Sequence, residues 1–95
     1  DHLVDIPMWI SRSELANQIN QIALETRTIR RITSFTPHYE LHGVVLDVVV
    51  NVDEKAKSIE LKESTKELGN SILATIDDVV EVHIGVVMAK VARQK

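Results

Sequence analysis

The residues that could bind a metal ion begin with two histidines in the middle of the chain. His38 and His42 stand four apart, the spacing of zinc ligands on a helix. Their segment follows Pro37 and is rich in strand-forming residues, and in a strand four residues span about 13 Å. Two ligands of one zinc each lie about 2 Å from the ion, so this pair could share an ion only if the chain folded back at Gly43. We therefore predict solvent-facing histidines and no metal site.

Two further pairs of titratable residues could also take part in chemistry. Glu81 and His83 alternate along a predicted strand, which favours a weak ion pair or a partner contact over catalysis. Asp77 and Asp78 are adjacent carboxylates that follow a predicted helix, and such pairs are usually solvated turn residues. Neither group predicts a catalytic site.

Composition excludes several classes of function. The chain has 95 residues, 11 Lys and Arg against 14 Asp and Glu, and a net charge of -3, which argues against a general nucleic-acid binder. It contains no cysteine, so thiolate nucleophiles and cysteine-ligated metals are excluded. Its three glycines form no phosphate-binding loop, and no serine stands in a nucleophile elbow. We expect a protein that is not an enzyme, without catalytic residues, cofactor, metal or small-molecule substrate.

Apolar periodicity predicts four strands and two helices. Alternation of apolar and polar residues indicates strands, whereas apolar residues at i, i+4 and i+7 indicate the buried face of a helix. Ser11 and Glu14 have the spacing of a capping box, which places the start of a helix directly after Ser11. The predicted elements are a strand over Leu3–Ile10, a helix over Arg12–Thr26, an irregular outer strand within Ile29–Leu41, a strand over Val44–Val52, a helix over Ser58–Ile76 and a strand over Val79–Val91.

This order predicts a single α+β domain over residues 1–95. Both helices should cover one face of a mixed sheet, giving a two-layer sandwich, because crossover connections are right-handed. The core should be aliphatic, since the chain has only three aromatic residues. The residues expected to be buried are Leu46, Val48, Val50, Ile72 and Ile84. Gly69, inside the second helix, suggests a close approach of that helix to the sheet.

The strands also predict a surface for a partner. Val45 and Val49 lie on the side of their strand away from the helices, and Val79, Val87, Ala89 and Val91 are expected to do so on the last strand. A monomer would leave these side chains as an exposed apolar patch, which soluble proteins rarely tolerate beyond a few hundred Å². We expect self-association through a sheet face or edge, with Val45, Val49, Val87, Glu81 and His83 as the partner-binding residues.

Most of the sequence, from Ile6 to Val91, resembles the bacterial alkaline-shock-protein family, most of all the domain of its membrane-anchor member. The resemblance rests on Gly43 followed by the valine-rich segment Val44–Val52, on the helix opening at Ile59 and Leu61, and on the final alternation of Val80–Ile84. It implies a non-enzymatic assembly module of the cell envelope or its stress response. Such a module would bind itself or a related family protein at the cytoplasmic face of the membrane.

A second hypothesis has the same order of elements. In it, the chain is a ferredoxin-like cytoplasmic domain of a transporter or secretion apparatus that dimerises through its sheet. A small-ligand or RNA-binding module of similar fold is disfavoured, because the exposed strands lack paired aromatic residues on which bases stack. The chain begins at Asp1, without an initiator methionine, so we expect that it could be a fragment whose membrane anchor lies outside these residues.

Overall fold

A computed structural model describes residues 8–88, which form two helices and three strands. In chain order these are α1 (Arg12–Leu24), β1 (Ile29–Glu40), β2 (Gly43–Val52), α2 (Ser58–Thr75) and β3 (Val79–Met88). Neither helix is long and apolar enough to cross a membrane. All five elements lie close to the bounds that the apolar periodicity predicts.

The sheet has the order β1-β2-β3, with β2 in the centre. β1 and β2 are antiparallel and are joined by a tight turn at Leu41 and His42, whereas β2 and β3 are parallel. A parallel pair needs a long crossover, and α2 supplies it. Both helices contribute to one core on one side of the sheet. The prediction of an α+β fold with two helices on one face of a mixed sheet is thus confirmed.

Alternate residues of β2 form the centre of the core. Val44, Leu46, Val48, Val50 and Val52 are all at most 1% exposed. They face the buried helical residues Leu15, Ile19, Ala23, Leu68 and Ile72. Of the five predicted core residues, only Ile84 differs from the prediction. It is half-buried because β3 is an edge strand that α2 only partly covers.

The segment before α1 departs from the prediction. Most of the predicted strand over Leu3–Ile10 lies outside the described residues, and its described end, Met8 to Ile10, is not a strand. Instead the indole N–H of Trp9 donates to the carbonyl oxygen of Glu40 at 2.8 Å. The backbone N–H of Ile10 donates to the Asp78 carboxylate at 2.7 Å. This segment is therefore tied to the end of β1 and to the turn before β3.

The start of β3 contains a second departure from the prediction. Val79 was expected to face away from the helices, but it is 4% exposed and belongs to the core, whereas Val80 is 52% exposed. The cause is a shift in the β2–β3 register, where Val44 pairs with Val79 and Val45 with Glu81, so that Val80 is an extra residue. The predicted residues Ala89 and Val91 lie outside the described part of the chain.

The helix ends follow from local hydrogen bonds. The Ser11 hydroxyl accepts the backbone N–H of Glu14 at 3.2 Å, as the capping-box spacing predicts. The Glu14 carboxylate accepts from the Gln18 amide at 3.2 Å. In α2 the Glu60 carboxylate accepts the backbone N–H of Lys57 at 2.8 Å. The bonds to the N–H groups of Glu14 and Lys57 satisfy backbone donors at the helix starts that would otherwise be unpaired, whereas the Gln18–Glu14 bond joins two side chains one turn apart.

Candidate interaction surface

The side of the sheet opposite the helices, here called the outer face, is uncovered within the described residues. Because side chains alternate along a strand, the residues between the core positions of β2 point to this side. The register then places their neighbours on β1 and β3 beside them. The outer face comprises Arg31, Ser34, Thr36 and His38 of β1, Val45, Asp47, Val49 and Asn51 of β2, and Glu81, His83, Gly85 and Val87 of β3.

Valines form the apolar part of the outer face. Val45 and Val49 are half-buried by the strands on either side, and Val87 is 41% exposed. Val49 pairs with Gly85, which has no side chain to cover it. A Cβ at Gly85 would lie 3.8 Å from the Val49 side chain, so the glycine leaves an opening above this valine. The five predicted partner-binding residues therefore lie on one surface.

Two histidine–carboxylate pairs form the polar part of the outer face. The Nε2 atom of His38 lies 2.9 Å from the Asp47 carboxylate, and that of His83 lies 2.6 Å from the Glu81 carboxylate. The second pair is the one that the sequence predicts, while the first joins two strands. All four side chains are about half exposed, and exposed pairs of this kind typically stabilise a fold by about 1 kcal/mol or less.

Within the described residues, these pairs do not form part of a larger cluster of metal-binding side chains. Asp47 is opposite His83 in the β2–β3 register, so the two pairs are neighbours on the outer face. Each imidazole Nε2 is already engaged by a carboxylate. Among residues 8–88 there is no group of three or more metal-binding side chains arranged around a common point. His42 lies in the β1–β2 turn, beyond the end of the strand that holds His38.

Two polar residues have roles that the sequence did not indicate. Asp78, predicted to be a solvated turn residue, is half-buried and accepts the Ile10 N–H, while its own carbonyl accepts the Val44 N–H at 2.8 Å. Asp47 of β2 pairs with His38 of the neighbouring strand β1. Both contacts join residues from different elements, so no local pattern could have predicted them.

The three-stranded sheet with two helices on one face defines a ferredoxin-like domain. No protein-family model and no curated protein matches the sequence. Among solved structures, the chain is similar to C-terminal domains of MamM. A nickel form of one variant has a TM-score of 0.75 and 14% identity, and the alignment covers 82% of this chain and 99% of that one. Two other variants have TM-scores of 0.76, with 14% and 12% identity, and are covered over 100% of their length.

These matches correct the family resemblance. The chain is similar to MamM C-terminal domains in fold, and the predicted membership of the alkaline-shock-protein family is wrong. The expected role in the envelope stress response rested on that membership and is wrong as well. The valine-rich strand, helix and second strand that suggested that family also occur in other strand–helix–strand units, because the pattern reflects burial. Of the two hypotheses, the comparisons support the ferredoxin-like domain better.

Proposed function

We propose that the chain is the cytoplasmic domain of a membrane transporter, of the cation diffusion facilitator class, and that it dimerises through the outer face of its sheet. The observation that carries the proposal is the match to MamM C-terminal domains over essentially their whole length. A domain of this kind contributes an assembly surface and no catalysis. Its partners would be a second copy of itself and a membrane portion outside these residues.

The outer face supports the proposal by its chemistry. Val45, Val49 and Val87 supply the apolar contact, and a second copy would remove them from water. His38 and His83 each have a carboxylate partner within their own chain, so burial in a dimer would leave neither imidazole without a partner. An apolar centre with paired polar groups around it is typical of a protein–protein interface.

Analytical ultracentrifugation across a range of concentrations tests the proposed dimer. The Val49→Lys and Val87→Lys variants place a lysine ammonium group in the interface, so their outer-face dimer should weaken at least about tenfold. Asn20→Lys, on the exposed side of α1, is the matched control and should associate like the wild type. A wild-type chain that stays monomeric at high concentration would contradict the proposed dimer.

The link to a transporter has its own test. The coding sequence upstream of Asp1 should encode several apolar segments of roughly 20 residues each, the length that spans a bilayer. Expression of the full-length protein and separation of membrane from soluble fractions would then place this domain with the membranes. A full-length protein that remains in the soluble fraction would contradict the transporter proposal while leaving the dimer untouched.

A further inference from the structure

The two edges of the sheet are protected to different degrees. β1 carries Arg30, Arg31 and Pro37, and its pairing with β2 has two register shifts. Charges, proline and bulges are the devices that keep an edge strand from pairing with another chain. β3 contains no proline, its one fully charged residue is Glu81, and beyond the bulge at Val80 its pairing with β2 is regular from Glu81 to Met88. Within residues 8–88, the edge formed by β3 is therefore the less protected of the two.

This less protected edge is also apolar. Val80, Val86, Val87 and Met88 are 52%, 40%, 41% and 47% exposed, respectively. Within residues 8–88, β3 pairs only with β2, so its other side presents unpaired backbone groups. A long, regular and apolar edge strand is a template for another strand.

We propose that this edge binds the β3 strand of a second copy in antiparallel orientation, with a two-fold axis at Ile84. A two-fold axis makes identical strands antiparallel and lets one surface serve both chains. The edge is distinct from the outer face, so this proposal does not rest on the proposed function. It adds a second self-association surface to the domain.

The residues of β3 favour this register. Val82 is then opposite Val86 of the second copy, so these apolar side chains cover one another, while Val80, the extra residue of the bulge, lies outside the regular pairing. His83 is opposite Gly85 of the second copy, and Glu81 is opposite Val87. Neither of these titratable side chains therefore lies directly opposite the same residue of the other chain. Repulsion between like charges directly opposite would weaken the pairing, and this register avoids it.

A groove beside the strand adds apolar area. Leu73 of α2 is 40% exposed and lines this groove together with Val82 and Ile84, and the polar residues Lys62, Thr65, Lys66 and Asn70 complete its lining. The groove runs between α2 and the edge strand, on the side where the helices lie. In the proposed pair, the groove of each chain borders the strand of the other, so the contact extends beyond the backbone hydrogen bonds.

Cysteine cross-linking tests the two-fold axis directly, because the chain has no cysteine of its own. The experiment uses the Val49→Lys background, in which the outer face is blocked. Opposite residues of an antiparallel pair have Cα atoms about 4.5–5.5 Å apart, within the range of a disulfide. Ile84→Cys should form disulfide-linked dimers rapidly under mild oxidation. Thr36→Cys, on exposed β1, is the control and should form few.

A pair of charge variants tests the register without relying on Ile84. Residue 87 is opposite Glu81 of the second copy in the proposed pairing. In the Val49→Lys background, Val87→Lys should therefore strengthen the dimer about threefold to tenfold, and Val87→Glu should weaken it by a similar factor. In the face-to-face dimer of the proposed function, either charge would weaken association, so opposite signs of the two effects identify the edge.

Three results would overturn the edge proposal. These are cross-linking of Ile84→Cys no faster than that of Thr36→Cys, equal effects of Val87→Lys and Val87→Glu, and a Val49→Lys variant that stays monomeric at high concentration. The last result would show that the edge does not bind a second copy. The first two results do not bear on the outer-face dimer, which the comparison of the wild type with the single Val49→Lys variant tests.

Discussion

Gly43 and Val80 lie so close together that no side chain fits between them. A Cβ atom at Gly43 would be 2.5 Å from a methyl carbon of Val80 and 2.9 Å from the carbonyl oxygen of Asp78. The backbone of Gly43 also has φ +146°, a region that residues with a side chain rarely adopt. This contact joins the start of β2 to the start of β3 and fixes where the two strands begin to pair.

Gly43→Ala should therefore destabilise the domain. We expect a loss of about 2–4 kcal/mol in the free energy of unfolding, from the strained backbone and from overpacking against Val80. Urea denaturation followed by circular dichroism measures this loss. A variant within about 0.5 kcal/mol of the wild type would contradict the close approach.

Gly69→Ala should have the opposite effect. The sequence suggested that this glycine allows a close approach to the sheet, but a Cβ there would lie 3.5 Å from the Ile84 side chain, an ordinary contact. Alanine is favoured over glycine inside a helix by about 1 kcal/mol. The variant should gain roughly 0.5–1 kcal/mol in the same denaturation experiment, and a loss of stability would show that α2 packs more tightly than described.

Asp78→Ala should release the segment before α1. The Asp78 carboxylate accepts the Ile10 N–H across 68 positions of sequence, and such charge-assisted bonds contribute about 1.5–3 kcal/mol. Trp9 is the only tryptophan, so its fluorescence reports on this segment alone. We expect red-shifted emission in the folded variant and a modest loss of stability. Asp77→Ala, at the exposed neighbouring position, should change neither.

Val48→Asp should unfold the domain. Val48 is 1% exposed in the centre of the core, where an unpaired carboxylate would have no hydrogen-bond partner and no solvent. The expected loss exceeds about 3 kcal/mol. Val49→Asp is the control on the next residue of the same strand, and its side chain points to the outer face, so it should remain folded. Equal melting of both variants would show that the assigned faces of β2 are wrong.

Nickel or zinc should leave the melting temperature unchanged. A metal that binds only the folded chain would raise it by mass action, and each outer-face imidazole is already paired with a carboxylate. Differential scanning fluorimetry with and without each metal measures the shift. A reproducible rise that disappears in His83→Ala would contradict this expectation and would place a metal ion on the outer face.

Local patterns in the sequence are enough to predict the helices, the main strands and most of the core. The stripe from Leu15 to Ala23 and the alternation from Val44 to Val52 are local patterns, and each has one arrangement that buries its apolar side. The alternation also placed Val45 and Val49 on the opposite face of β2. Local patterns of this kind identify an element and its buried side, and they do not identify its neighbours.

The remaining features depend on contacts between elements that are far apart in the sequence. Val79 points into the core because Val80 is an extra residue in the register between β2 and β3. This bulge arises only when the two strands pair. The His38–Asp47 pair and the Ile10–Asp78 bond depend on which elements become neighbours. The exposed edge of β3 depends on strand order, since the same valines would be buried in a central strand. These features arise from contacts between distant residues, which apolar periodicity along the chain does not encode.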